Sequence, residues 1–135
     1  MSDQTMTLDK LYQSMMQNGN LRTTGQASRI TFAVLRTLGF NLSRSVKGEL
    51  AKALPDEFAR ELKRGWRLVN IRHRNMTIET FAKDVARNSG NTDVQVGITK
   101  TRLVFHYIKA LIDDDISRKV ARDLSPEVRD LWNAA

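Results

Sequence analysis

The chain has 135 residues, no cysteine and a formal net charge of +7. That length suits one domain with a sizeable core, and the missing cysteines remove disulfides, thiolate metal sites and cysteine nucleophiles. At 41% hydrophobic and 27% charged residues the composition is globular, and no apolar run approaches the roughly 20 residues of a membrane helix.

The polar start, Met1 to Thr7, lacks the basic and apolar stretches of a secretion signal. A cytoplasmic protein without membrane insertion is therefore expected. Helical spacing of apolar residues begins at once. Thr7 caps a first helix that runs to Asn18, carries Leu8, Leu11, Tyr12, Met15 and Met16 on one stripe, and ends at Gly19. A second helix spans Gln26 to Leu38. Ser43 caps a third, to Leu54, and Pro55 opens a fourth with Asp56 and Glu57 in its first turn, continuing towards Val69. Asn70 to Met76 reads as a polar loop. Thr77 starts a short fifth helix that Gly90 ends. Thr92 caps the longest helix, Asp93 to Ile112, where Val94 to Ile98 has a local strand alternative that length and period outweigh. After a turn at Asp113 to Asp115, Asp115 or Ser117 begins a seventh helix to Asp123, and Ser125, Pro126 and Glu127 open the last. The expectation is an all-α, compact bundle of about seven or eight helices forming a single domain over 1–135.

Two stretches resemble each other. Val34, Leu38, Leu42-Ser43-Arg44 and Val46 are spaced like Ile108, Ile112, Ile116-Ser117-Arg118 and Val120, at an offset of 74 residues. Leu54-Pro55-Asp56-Glu57-Phe58 resembles Leu124-Ser125-Pro126-Glu127-Val128 at an offset of 70. The difference is one helical turn, which leaves an apolar face in phase. This predicts two diverged helical repeats with a pseudo-twofold relation, 26–69 and 92–135, preceded by an N-terminal helix in 1–20 and joined by a connecting segment with a short helix in 70–91.

Few residues carry recognisable chemistry. Gly65, Gly90 and Gly97 are isolated, so no phosphate-cradling loop exists. His73 and His106 lack ligand spacing. Asp113-Asp114-Asp115 reads as a turn with one capping aspartate, because consecutive helical residues do not converge on one ion. Ser43, Ser117 and Ser125 all read as caps. No catalytic, cofactor-binding or metal residue is assigned, and no small-molecule substrate is identified. The basic segment stands out: Arg60, Lys63, Arg64, Arg67, Arg72 and Arg74 lie within 15 residues, opposed only by Glu61. With His73 they form a candidate polyanion- or partner-binding surface, and Trp66 is either core or a stacking platform. Arg22, Arg29 and Arg36, seven residues apart, form a second basic row. Leu11, Tyr12, Met15 and Met16 are core or a docking face for a partner.

The helix of Ala27 to Leu38, the turn into Leu42-Ser43, the Leu54-Pro55 step into an acidic helix start, and the stretch from Val104 to Trp132 together resemble a bacterial family catalogued as domain of unknown function 2267. The resemblance covers Leu21 to Trp132. It implies a small helical protein without assigned activity and supplies no site residues. Asn70 to Met76 is more basic than the family pattern. The expected function is a non-enzymatic interaction module with a basic face, binding a protein partner or itself. Sequence-independent nucleic-acid binding through residues 60–74 is the alternative, and an enzyme of unrecognised type comes third.

Overall fold

A computed structural model describes residues 3–64, 76–88 and 93–135. Among the described residues there are eight α-helices and no strand: α1 Asp3–Asn18, α2 Thr24–Phe40, α3 Arg44–Ala53, α4 Asp56–Arg64, α5 Ile78–Asn88, α6 Val94–Leu111, α7 Asp114–Asp123 and α8 Pro126–Ala134. No helix among them is long and apolar enough to cross a membrane. The expected ends at Val69, Gly90 and Thr92, the loop from Asn70 and the side chain of Trp66 lie outside the described residues.

Short polar side chains set the helix starts, because each supplies an acceptor to an otherwise unpaired backbone N–H. Thr23 accepts from Gln26, Ser43 from Val46, and Thr77 from Thr80. The cap of α6 is Asp93, which was expected as its first helical residue after a Thr92 cap; it accepts from Gln95 and Val96. Asp113 caps α7 by accepting from Ile116. That choice corrects the expectation for Ser117, which lies a full turn inside α7. A carboxylate four residues upstream takes the role first, and its negative charge suits the helix N-terminus. Ser125 occupies the cap position of α8 but makes no cap bond. Its hydroxyl instead donates to the buried Met76 carbonyl, 2.6 Å away.

Two glycine expectations also change. α1 begins at Asp3, so Thr7 is inside it, and its C-terminal left-handed residue is Asn20 (φ 54°), not Gly19. Leu21 N–H donates to Met16 O at 2.8 Å and Asn20 N–H to Gln17 O, the pairing that closes a Schellman end. Gly19 is needed for closeness: a Cβ there would lie 2.5 Å from Leu103 Cδ2 and 2.8 Å from Met15 O. Gly39 does not end α2 but is buried within it.

The core lies around α2 and α6, which pack on each other and between them on α1, α4, α5 and α8. Phe105 sits edge-on between Phe81 and Trp132, with centroids 5.8 and 5.0 Å away, and all three are fully buried. Such aromatic stacking adds about 0.5–1.5 kcal/mol per pair beyond area burial. Because α2 is buried on several sides, its buried threonines bond back to the helix: Thr31 donates to Ala27 O and Thr37 to Ala33 O. In α6, Thr101 donates to Gly97 O in the same way.

The helix boundaries recur at one spacing. The caps of α2 and α6 are Thr23 and Asp93; α3 and α7 start at 44 and 114, and α4 and α8 at 56 and 126. Each pair is 70 residues apart. The 74-residue register expected around Ser43 and Ser117 is not that of the helix ends, because Asp113 starts α7 one turn earlier.

Candidate basic face and a trough beside the first turn

The acidic first turn of α4, Asp56 and Glu57, suits the helix dipole. Of the sequence candidates, Arg60, Lys63 and Arg64 project from α4; Arg67, Arg72, His73 and Arg74 lie outside the described residues. Arg60 and Lys63 are exposed, and the Arg64 side chain is 58% exposed. Glu61, on the same helix, is buried. Packing of α2 on α4 brings Arg36 against it: Arg36 Nε and Nη2 both donate to Glu61 Oε1 at 2.7 Å, while Arg64 lies 3.4 Å from Oε2. A buried carboxylate requires such pairing. One acid is thus sealed under the face by two arginines, leaving Arg60 and Lys63 outward.

Arg29, exposed, lies two turns before half-buried Arg36 on the same stripe of α2, with half-buried Phe32 between them. Arg22 does not belong to that helical row: it precedes the Thr23 cap, and its backbone N–H donates to Gln26 Oε1. The face therefore combines two helices, a conjunction that residue spacing within one helix does not reveal.

The apolar stripe of α1 packs at home. Tyr12 and Met15 are buried in the chain's own core and, in this arrangement, are not open to a partner; Leu11 and Met16 are half-buried. The Tyr12 hydroxyl donates to Glu57 Oε1 at 2.8 Å. Burial first, and then the Glu57 carboxylate, push its ionisation well above the ordinary tyrosine range.

A second feature escaped the sequence reading. An open trough of about 620 Å³ runs between the α1–α2 turn and α6, bounded by Asn18, Gly19, Leu21, Thr99, Lys100, Arg102, Leu103, His106 and the end of α8. A neighbouring hollow of about 430 Å³ shares Gly19, Asn20, Leu21, Thr99 and Lys100 and extends it past Gln95 and Val96. His106 is exposed on its rim, edge-on to Tyr107 at 5.4 Å. Behind the rim, Asn18 Nδ2 donates to the Tyr107 hydroxyl at 2.6 Å, and that hydroxyl shares a hydrogen bond with Ser14. The polar positions Thr99, Arg102 and His106, three and four residues apart along α6, were the available signal.

The aspartate cluster disperses. Asp113 caps α7, Asp115 lies 3.3 Å from Lys119, and all three aspartates are exposed. Among the described residues no group of three or more histidines and carboxylates is placed to hold a metal ion.

A family model described as Uncharacterized conserved protein (DUF2267) matches residues 8–131. The match takes in α1 as well as the later helices. No curated protein matches the sequence.

Proposed function

We propose that this chain, which belongs to the DUF2267 family of uncharacterized conserved proteins, is a non-enzymatic interaction module that engages an acidic protein surface through α2 and α4. The observation carrying this is the mixed character of the face: Arg29 and Arg36 lie one turn either side of half-buried Phe32 on α2, and Arg36 meets Arg64 over Glu61 on α4, the helix that also carries exposed Arg60 and Lys63. Arginine beside an aromatic side chain is the composition of protein interfaces. A phosphate-binding surface needs cations alone, and here two of them are already engaged by Glu61.

The test is fluorescence anisotropy with a labelled poly-glutamate peptide, and in parallel with labelled duplex DNA, across a salt titration. The proposal expects peptide binding that Arg60→Glu with Lys63→Glu abolishes. Tighter binding to DNA, with a log–log salt slope of roughly −0.9 for each phosphate neutralised, would overturn it in favour of nucleic acid.

The 70-residue recurrence supports a further part of the reading, two diverged repeats related by a pseudo-twofold axis, and widens each of them from the expected 26–69 and 92–135 by one helix, to α1–α4 and α5–α8. Lys119 Nζ lies 2.9 Å from Glu49 Oε1, and these two positions are themselves 70 apart. Equivalent positions meet only close to an axis that exchanges them. α3 on α7 and α2 on α6 are likewise pairs of equivalents in contact. Superposing α1–α4 on α5–α8 tests it: a rotation far from a half-turn removes the reading.

A further inference from the structure

Independently of the basic face, we propose that the trough between the α1–α2 turn and α6 binds a small amphiphilic anion: an apolar body carrying one carboxylate, sulfonate or phosphate.

Three observations support this chemistry. The trough has the size of a small-molecule site, for which roughly 300–1,000 Å³ is usual, and its volume is about 620 Å³. Its wall is apolar where Leu21 and Leu103 meet, and Gly19 keeps that corner open, since any Cβ there would run into Leu103. Its charged lining side chains, Lys100 and Arg102, are cations, with His106 beside them; no aspartate or glutamate side chain lines it or the adjoining hollow.

Lys100 is the informative group. It is half-buried, and no carboxylate among the described residues pairs with it. Elsewhere on the molecule, Arg36, Arg64, Arg87 and Lys119 each lie within 4 Å of an acid. An ammonium taken partly out of water without a counter-ion is costly to the fold and is matched by an anionic head group. A neutral ligand would leave Lys100 uncompensated, and a fully polar anion would leave the Leu21–Leu103 wall wet.

The experiment uses the full chain and the fluorescent probe 1-anilinonaphthalene-8-sulfonate, followed by displacement with decanoate and, separately, decanol. The proposal expects saturable one-site binding. Lys100→Gln weakens it at least fivefold. Thr99→Trp, which fills the trough from an exposed position on α6, abolishes it. Lys52→Gln, on α3, leaves it unchanged. Decanoate displaces the probe at a concentration at least tenfold below decanol. Far-UV circular dichroism and urea midpoints establish that each variant is folded. The proposal is overturned if Thr99→Trp binds the probe like the parent, if Lys52→Gln weakens binding as much as Lys100→Gln, or if decanol competes as well as decanoate.

Discussion

Two glycines inside helices give opposite results on the same substitution, and together they test how α5 and α6 cross. At Gly97 of α6, an added Cβ would lie 2.4 Å from Ala82 O, 3.0 Å from Ala82 C and 3.2 Å from Ala82 Cβ. The nearest obstacle is backbone, so no rotamer change relieves it. Reaching ordinary van der Waals contact requires the two helices to separate by roughly 1 Å, against the packing of Phe81 on Phe105 across the same interface. Because the obstacle is backbone, the upper part of the usual overpacking range applies, about 2–3 kcal/mol. The alanine returns about 1 kcal/mol through helix propensity. Gly97→Ala should therefore be destabilised by roughly 1–2 kcal/mol net. At Gly48 of α3 nothing lies within 4 Å of the added Cβ, so the propensity gain stands alone and Gly48→Ala should be stabilised by about 0.5–1 kcal/mol. For a chain of this length the pair should differ in Tm by about 6–10 °C. Urea unfolding followed by tryptophan fluorescence measures both, with unchanged m-values required for the comparison. A Gly97→Ala protein as stable as the parent would refute the close α5–α6 crossing. A destabilised Gly48→Ala would refute the open surface of α3.

Other consequences are open to the same assays. Asn20→Gly relieves a left-handed backbone at the end of α1 and should add up to about 1 kcal/mol, whereas Gly19→Ala beside it should destabilise and reduce probe binding in the trough. Tyr12→Phe deletes the bond to Glu57 while keeping the ring on Phe58; a loss of about 1–2 kcal/mol in urea unfolding is expected, and no loss would mean that water already serves Glu57. Burial lowers the Lys100 pKa, so the unfolded chain holds more protons than the folded one between the folded value and the ordinary lysine value of 10.5. Stability from this group therefore rises with pH through that window, and Lys100→Met should flatten that rise in urea midpoints measured across it. Glu61→Gln removes the partner of Arg36 and Arg64; it should cost about 1–3 kcal/mol while tightening poly-glutamate binding in the anisotropy assay.

Much of the helical plan was legible because its causes are local. Ser43 caps α3 through its own hydroxyl, Pro126 sits at the first position of α8, and the stripe of Leu8, Tyr12 and Met15 points inward. These depend on residues within a turn or two. The misreadings arose where two local candidates compete or a distant group intervenes. Asp113 stands one turn ahead of Ser117 and starts α7 first. Ser125 has the backbone of a cap, but the Met76 carbonyl, far away in sequence, takes its hydroxyl. Gly19 looks like a left-handed terminator, yet the approach of Leu103 from α6 is what requires it.

Composition and periodicity alone determined that this chain is helical, that its helices carry apolar faces, and roughly where they begin, since those properties follow from spacing and from side chains bonding to nearby backbone. Tertiary structure decided which charges share a surface and where a trough opens. Arg36 and Glu61 are 25 residues apart, and Gly19 and Leu103 further still. Their meeting depends on how α2 packs on α4 and the end of α1 on α6, a matter of shape complementarity between helices that no single helix encodes.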